Sequence, residues 1–368
     1  MSKYLFRLAK DCDSEALVKL FGSTPQKGQV VLNFEREPNY FIGNKVITPD
    51  TLVVVCIEKE SGEIVGCSSM GARQVYVNGE IKKIRYAADL RICAKHRNGR
   101  ILVGLYREAK KYLSDDEWTQ TAILKENDYS IATITKSRAS LPNYLPYGDL
   151  TSYLLYIPPS PRKSADERYV IRPASHFDIP QLQSFFDENA PKRQFYPVYD
   201  FAKIVSGDDY YSGLSLADFM LCFNEDGKLK GVAGSWDQKS FKQTRIISYP
   251  GITKYLRHLF NLYSLVRGGL TLPKAGGALN YCMLHSVLID NDDPGVFRAL
   301  LENIIVQLKQ SGYEGLMVGS INNDPYVSIL ESYRHRKTYT NHYIASYNEH
   351  DPRETLDTRP LYLEVARL

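Results

Sequence analysis

The chain has 368 residues, with 43% hydrophobic and 24% charged side chains and a formal net charge of +4. This length and composition are typical of a globular protein with two domains, and so small a charge does not indicate nucleic-acid binding, which usually requires a clustered basic surface. Met1–Tyr4 lacks a signal-peptide pattern, and no apolar run reaches the roughly 18 residues of a membrane span. The sequence therefore predicts a cytoplasmic protein without a membrane partner.

Two segments of the sequence match each other at one fixed offset of 165 residues. In each, a short strand leads to an Asp at a helix start, and apolar residues then recur every three to four positions, which predicts an amphipathic helix. A strand, a tight glycine-containing turn and another strand follow. The matching positions are Arg7, Ala9, Asp13, Leu17, Phe21, Gly62 and Gly66 in the first segment and Arg172, Ala174, Asp178, Leu182, Phe186, Gly227 and Gly231 in the second. The repeat predicts a domain duplication.

A proline-rich polar stretch, Pro158–Ser164, lies between the two matching segments. Such composition is typical of an extended linker. We therefore predict an N-terminal domain over residues 1–157, a linker over 158–167 and a C-terminal domain over 168–368.

The first domain continues with a hairpin and a basic loop. Asn78–Gly79 between β-type residues predicts a two-residue hairpin turn, because both positions favour a positive φ. The returning strand is predicted over Lys83–Cys93, and a helix over Ile101–Leu113 and a strand over Trp118–Leu124 follow the basic loop.

The loop before this helix carries Lys95, Arg97 and Arg100. Unpaired amides and the positive end of the helix dipole favour a phosphate at such a helix start, and the three cations add to this field. Taken alone, the pattern is compatible with an anion site but is more typical of a solvated basic turn.

The order of elements, together with Asp89-Leu90-Arg91-Ile92 and, after four intervening residues, Arg97-Asn98-Gly99-Arg100-Ile101-Leu102, resembles the acyl-CoA motif of GCN5-related N-acetyltransferases (GNAT). The resemblance implies an α+β fold with a mixed sheet, here as two tandem GNAT-like domains. It implies that Leu90, Arg91 and Ile92 hold the thioester and pantetheine arm, that Arg97, Asn98, Gly99, Arg100 and Ile101 hold the pyrophosphate, and that Asn127 lies near the cofactor. Arg100 and Leu102 depart from the motif, which has small residues there.

The same resemblance implies the chemical roles. Asp89 is the expected base that removes the amine proton. Tyr144-Leu145-Pro146-Tyr147-Gly148 resembles the segment that ends the last helix of the family, so Tyr144 is the expected acid for the CoA thiolate, with Tyr147 as a competitor.

Acceptor binding is expected upstream, between the first helix and the next strand. Glu35, Glu37 and Tyr40 lie in the region that covers the acceptor in this family, and their acidic and aromatic character suits a cationic amine. A charged surface helix start explains the same residues.

The second domain differs in charge. Asp290, Asp292 and Asp293 occupy the place of the basic loop, and three carboxylates beside a pyrophosphate would repel it. We therefore predict that this domain does not bind CoA in the usual way. It also carries an inserted aromatic amphipathic helix over Ile252–Val266.

The leading functional hypothesis is transfer of an acetyl group, or another acyl group, from acyl-CoA to a small-molecule or peptide amine, with no metal. Two alternatives remain open: a Fem-type aminoacyl transferase that uses charged tRNA, and a non-catalytic acyl-CoA sensor or interaction protein. The departures at Arg100 and Leu102 favour the alternatives.

Overall fold

The computed structural model describes residues 3–26, 28, 30–97, 99–114, 116–127, 131–133, 140–164, 166–321 and 323–368. In this part of the chain the strands are β1 (Tyr4–Leu8), β2 (Val31–Glu35), β3 (Val53–Glu58), β4 (Ile64–Val77), β5 (Glu80–Ile92), β6 (Trp118–Leu124), β7 (Asn143–Tyr156), β8 (Tyr169–Pro173), β9 (Phe219–Asn224), β10 (Leu229–Trp236), β11 (Gln243–Ser248), β12 (Tyr281–Ile289), β13 (Gly315–Ile321) and β14 (His335–Ser346).

The α-helices over the same residues are α1 (Ser14–Gly22), α2 (Tyr40–Lys45), α3 (Arg100–Lys110), α4 (Ile179–Asn189), α5 (Phe201–Ser206), α6 (Thr253–Arg267), α7 (Pro294–Gln310) and α8 (Val327–Ser332). Among the described residues, no helix combines the length and apolar character needed to cross a membrane.

The two halves of the chain use the repeated residues in the same way. Arg7 donates two hydrogen bonds to the carboxylate of Asp13, at 2.6 and 2.8 Å, and Arg172 makes the same pair of bonds to Asp178, at 2.8 and 2.6 Å. Each Asp also accepts a backbone N–H at the start of the following helical turn, from Lys10 and Ser175 respectively. Each ion pair therefore ties the first strand of its half to the helix start.

Close packing between a strand and a helix explains the repeated glycines Gly66 and Gly231. A Cβ on Gly66 would lie 2.9 Å from the side chain of Ile101 in α3, and a Cβ on Gly231 would lie 2.5 Å from Val296 in α7. Both contacts are too short for a side chain, so a glycine at this point lets the helix pack directly on the strand.

The described strands form one twelve-stranded sheet in the order β1-β3-β4-β5-β6-β14-β7-β13-β12-β10-β9-β8. β14, at the end of the second half, lies between β6 and β7 and runs antiparallel to both. β7, at the end of the first half, pairs on its other side with β13. Each half therefore receives its sixth strand from the other half, and the two half-sheets are continuous.

The prediction that Tyr144 lies at the end of a helix is wrong. The resemblance placed it at the end of a helix, but it lies near the start of β7, where Tyr144 is opposite Ala345 of β14. The segment is rich in tyrosine and leucine and is paired on both sides over much of its length, so strand pairing with the second half determines its conformation.

A second, two-stranded sheet also joins the halves. β2 pairs antiparallel with β11, with Glu35 opposite Gln243. A hydrophobic core cluster likewise includes Val46 and Tyr86 from the first half and Phe186 and Trp236 from the second. The two halves therefore share sheet and core.

We expect that residues 1–157 and residues 158–368, produced as separate chains, do not fold independently, because the first would lose β13 and β14 as neighbours of β7 and the second would lose β7. Urea unfolding followed by circular dichroism tests this: the full chain should unfold cooperatively and each half should not. Cooperative unfolding of both isolated halves would contradict the shared sheet.

Candidate functional site

The candidate site is a cleft between β5 and β6. The two strands pair in parallel only where Arg85, Tyr86 and Ala87 lie opposite Thr119, Gln120 and Thr121, and they separate beyond this point. On the other side of β5, the pairing with β4 shifts register between Cys67 and Ser69, where Asp89 adopts a positive φ of 55°. This β-bulge turns the strand away from β6.

The cleft has a volume of about 390 Å³. Its walls come from both halves of the chain. The lining includes Arg36, Ala88, Asp89, Leu90, Arg91, Tyr106, Ala122, Asn127 and Tyr144 from the first half and Trp236, Lys239, Lys242, Leu279, Met283, Met317 and Leu368 from the second. The structure therefore brings Asp89, Leu90, Arg91, Asn127 and Tyr144 to one cavity.

The carboxylate of Asp89 is held by two neighbours. Arg36 Nη2 lies 3.0 Å from its Oδ1, and both side chains are less than one-tenth exposed. The Tyr40 hydroxyl donates a weaker hydrogen bond, at 3.3 Å, to Oδ2. Burial raises the pKa of Tyr40 well above its usual value, so this hydroxyl remains a donor. The two contacts fix the carboxylate at the cleft wall and leave it capacity for a further donor.

Tyr144 forms a pair with a second tyrosine in the cleft. The hydroxyl oxygens of Tyr144 and Tyr106 are 2.5 Å apart. Burial raises the pKa of Tyr144 well above its usual value, and the adjacent Tyr106 adds to this effect. A neutral, hydrogen-bonded hydroxyl at this position can donate a proton.

The basic loop leads from the end of β5 into α3. A 3₁₀ turn over Ala94–His96 is followed by Gly99 at the helix N-cap, with a φ of 80°, and Arg100 is the first helical residue. The Arg97 Nε donates to the carbonyl of Ile92 at 3.2 Å. Lys95, Arg97 and Arg100 are exposed, and Asn98 lies outside the described residues.

The two departures from the motif have different consequences. Leu102 is 3% exposed, as is usual for a core residue, and it packs in a cluster with Tyr4 and Val54. Ile101 is fully buried in the same cluster. These two side chains therefore pack α3 onto the hydrophobic core. Arg100, in contrast, is exposed at the helix start.

The predicted acceptor residues engage other parts of the protein. Arg245 of β11 binds the carboxylates of Glu35, at 2.5 Å, and Glu37, at 2.6 Å. These ion pairs reinforce the pairing of β2 with β11. Tyr40 is fully buried and contacts Asp89, so it reaches the cleft through that residue.

Lys242 of the second half is a cleft residue that the sequence did not indicate. Its Nζ donates to the main-chain oxygen of Leu368 at 2.9 Å. Burial, together with the charge of Arg36, lowers the pKa of Lys242 to about 7, and Asp89 partly opposes this shift. No local pattern identifies this lysine, because Arg36 and Asp89, whose charges act on it, are distant in sequence.

The second half contains the equivalent cleft between β12 and β13. These strands pair only where Tyr281–Met283 lies opposite Gly315–Met317. Ser286 has a φ of 54° beside a register shift in the β10–β12 pairing, as Asp89 does in the first half. The cavity here has a volume of about 420 Å³ and is lined in part by Leu361–Val365.

The segment Leu361–Val365 lies against the bulge at Ser286. The carboxylate of Glu364 accepts a hydrogen bond of 2.7 Å from the backbone N–H of Ser286, and it is buried. Arg367 is also fully buried and donates to the carbonyl oxygens of Val46 and Tyr210 at 2.6 and 2.9 Å. The main-chain N–H at this bulge is therefore already hydrogen-bonded to a side chain of the same protein.

The carboxylates of the acidic loop in the second half have partners elsewhere in the protein and at the start of α7. Asp290 forms an ion pair with Lys230, and Asp292 forms one with Arg193. Asp293 accepts a hydrogen bond from the Gly295 N–H at the start of α7, at 2.7 Å. These carboxylates take the place that exposed cations have in the first half.

Comparison with known proteins gives a structural likeness only. No family model matches the sequence, and no curated protein matches it. Solved structures do resemble it over nearly the whole chain, and three of them are given as examples. A GCN5-related glucosamine N-acetyltransferase region of a fungal multi-domain GH3 β-N-acetylglucosaminidase has a TM-score of 0.61 and 11% identity and covers 93% of this chain, which spans only 38% of that one.

The second is a GCN5-related N-acetyltransferase from Sphaerobacter thermophilus, with a TM-score of 0.55 and 10% identity, covering 94% of this chain and 96% of its own. The third is N-myristoyltransferase from Saccharomyces cerevisiae with bound myristoyl-CoA, with a TM-score of 0.60 and 12% identity, covering 98% of this chain and 88% of its own. At such identities the likeness concerns the fold, which agrees with the separated parallel strands and the bulge. The chain has the mixed α/β fold of the GCN5-related N-acyltransferases.

Proposed function

We propose that the protein is an acyl-CoA-dependent N-acyltransferase with one working site, the cleft between β5 and β6. The observation that carries the proposal is the cleft at the Asp89 bulge, on the strand β5 whose end leads through the basic loop into α3. Similar structures include N-acetyltransferases and an N-myristoyltransferase with bound myristoyl-CoA. The acyl group we propose is acetyl, and the acceptor is a primary amine of a small molecule or peptide.

In this proposal the cofactor lies across the edge of the separated strands. The start of α3, with Arg97, Gly99 and Arg100, holds the pyrophosphate, because the helix dipole places about half a positive charge there. Main-chain amides of Leu90–Ile92 hold the pantetheine arm and polarise the thioester carbonyl, where negative charge develops during the reaction. Asn127 lines the same cleft.

The second half contributes the acceptor side of the cleft. Leu279, Met283, Met317 and Trp236 form apolar walls beyond Asp89. The exchange of β7 and β14 brings these residues to the first half, so the acceptor would bind between the halves.

The reaction we propose is direct transfer. The amine nitrogen attacks the thioester carbon, the carbon–sulfur bond breaks, and the amide bond forms. Asp89 accepts the amine proton, directly or through a water, and Tyr144 donates a proton to the departing CoA thiolate. Both groups line the one cavity.

We also infer that the halves arose by duplication and that only the first kept its cofactor site. The matched Arg–Asp pairs, the two close-contact glycines and the two bulges support this inference. In the second half Glu364 binds the bulge amide, and acids replace the basic loop.

We expect acetyl-CoA and CoA to raise the melting temperature of the protein, because a ligand that binds only the folded state stabilises it. Thermal melts with acetyl-CoA, CoA and charged tRNA, followed by a thiol-release assay with a panel of amines, measure this. A shift with charged tRNA and none with either CoA species would favour the aminoacyl transferase. Binding of acetyl-CoA without thiol release from any amine would favour the sensor.

Removing the proposed acid and base should slow turnover without unfolding the chain. We expect Asp89→Asn and Tyr144→Phe each to lower kcat by about 10²- to 10⁴-fold, the usual contribution of general acid–base catalysis. Tyr147→Phe is the matched control, because Tyr147 lies in the same strand but packs on Phe195 and His342. Equal rates for Tyr144→Phe and Tyr147→Phe would remove Tyr144 from the mechanism.

Lys242 provides an independent readout of the Asp89 site. It loses its positive charge as the pH rises through about 7, and a nearby carboxylate then becomes a better proton acceptor. We expect kcat/KM to rise over this range and Lys242→Met to abolish the rise. Lys239→Met is the control, since Lys239 lines the same cleft and lies 2.7 Å from Asn280. An unchanged profile in Lys242→Met would contradict this coupling.

A further inference from the structure

Helix α6 lies on the surface with its apolar side facing the solvent. Tyr255, Leu259, Leu262 and Val266 are 72%, 65%, 63% and 70% exposed. These positions recur every three to four residues, so they form one stripe along the helix. Ile252, Leu256 and Tyr263 extend the stripe, and all three are exposed.

The side of α6 that touches the protein is mostly polar, with the half-buried Phe260 as an apolar member, whereas a surface helix usually turns its apolar side inward. The Asn261 amide donates to the carbonyl of Leu272 at 3.0 Å and accepts from its N–H at 2.9 Å. Ser264, one turn further on, is 4% exposed. The helix is therefore held largely by its polar side, and its apolar stripe is exposed to the solvent over most of its surface.

The end of α6 is also fixed. Arg334 donates to the carbonyl oxygens of Arg267 and Gly268, at 2.8 and 2.7 Å, and its guanidinium lies 4.9 Å from the centre of the Tyr263 ring. These contacts satisfy the last carbonyl groups of the helix and keep the stripe facing outward.

Positive charge accompanies the apolar stripe. Residues 249–277 include Lys254, Arg257, His258, Arg267 and Lys274 and contain no Asp or Glu. A stripe of leucine and tyrosine bordered by cations is the pattern of helices that lie in the plane of a membrane surface. Contiguous exposed apolar surface of this kind marks an interaction site.

We propose that α6 docks the protein on an anionic lipid bilayer, with the helix axis parallel to the surface. The leucine and tyrosine side chains would enter the acyl boundary, and the cations would lie among the anionic headgroups. A second copy of this chain fits less well, because it would bring two acid-free basic segments together. The charge complementarity therefore favours lipid.

This proposal adds a surface contact to the expectation of no membrane partner. That expectation concerned spanning segments, and an in-plane helix does not need the roughly 20 apolar residues of a span. The proposal is independent of the acyl-CoA site, because none of the residues of α6 lines that cleft.

Flotation of the full-length protein with vesicles tests the proposal. We expect binding to phosphatidylcholine vesicles that contain phosphatidylserine, weaker binding to phosphatidylcholine alone, and release by salt. The double variant Leu259→Asp/Leu262→Asp should bind at least about tenfold more weakly, since it removes apolar side chains from the contact. Lys254→Gln/Arg267→Gln should lose the preference for phosphatidylserine.

Phe177→Asp is the matched control, because Phe177 is 95% exposed but lies outside α6, and this variant should bind vesicles like the unmodified protein. Thermal melts of all variants check that they fold. Absence of binding to either vesicle, or equal binding by the Leu259→Asp/Leu262→Asp variant, would overturn the proposal. A dimer in sedimentation velocity that this double variant converts to monomer, without vesicle binding, would assign the stripe to a second copy.

Discussion

The exchange of β7 and β14 is the constraint on which the rest of the structure depends. β14 lies between β6 and β7, so the last strand of the second half completes the sheet of the first, and β7 completes the sheet of the second through β13. Because β6, β14, β7 and β13 are hydrogen-bonded in series, neither half has an unpaired strand edge where the two halves meet. This pairing also fixes the distance between the halves, so that Lys242 and Met283 can line a cleft that begins at Asp89.

The two halves contain similar clefts, one beside β5 and one beside β12, that differ in the side chains at the bulge. Both strands that carry a bulge, β5 and β12, separate from a parallel neighbour after three paired positions. In the second half the Glu364 carboxylate accepts the Ser286 N–H, and Arg367, three residues later, ties the same segment to the carbonyl oxygens of Val46 and Tyr210. A buried carboxylate needs such partners, and an incoming ligand would have to displace them. In our proposal the first cleft is therefore the one that holds the thioester carbonyl and the pyrophosphate.

The sequence predicted the local features and missed the long-range ones. The Asp89 strand, the turn at Asn78–Gly79 and the helix after the basic loop follow from short patterns, and all are present. Tyr144 was assigned to the end of a helix because the pattern around it is short, whereas pairing with a strand some 200 residues away decides its conformation.

The composition of the cleft shows the same limit. Arg36, Lys242 and Leu368 meet near Asp89 only through the shared sheet and core, and no spacing in the sequence marks them as neighbours. Glu35 and Glu37 suggested an acceptor site by their charge, but their ion pairs with Arg245 depend on β11, which lies more than 200 residues further along the chain. Charge alone could not distinguish these two uses of an acidic residue.

The most direct test of the account is a crystal structure of the full-length protein with bound CoA. We predict a single CoA, with its pantetheine arm between β5 and β6, its pyrophosphate at the start of α3, and Glu364 still bound to the Ser286 N–H. CoA between β12 and β13, with Leu361–Val365 displaced, would contradict the account.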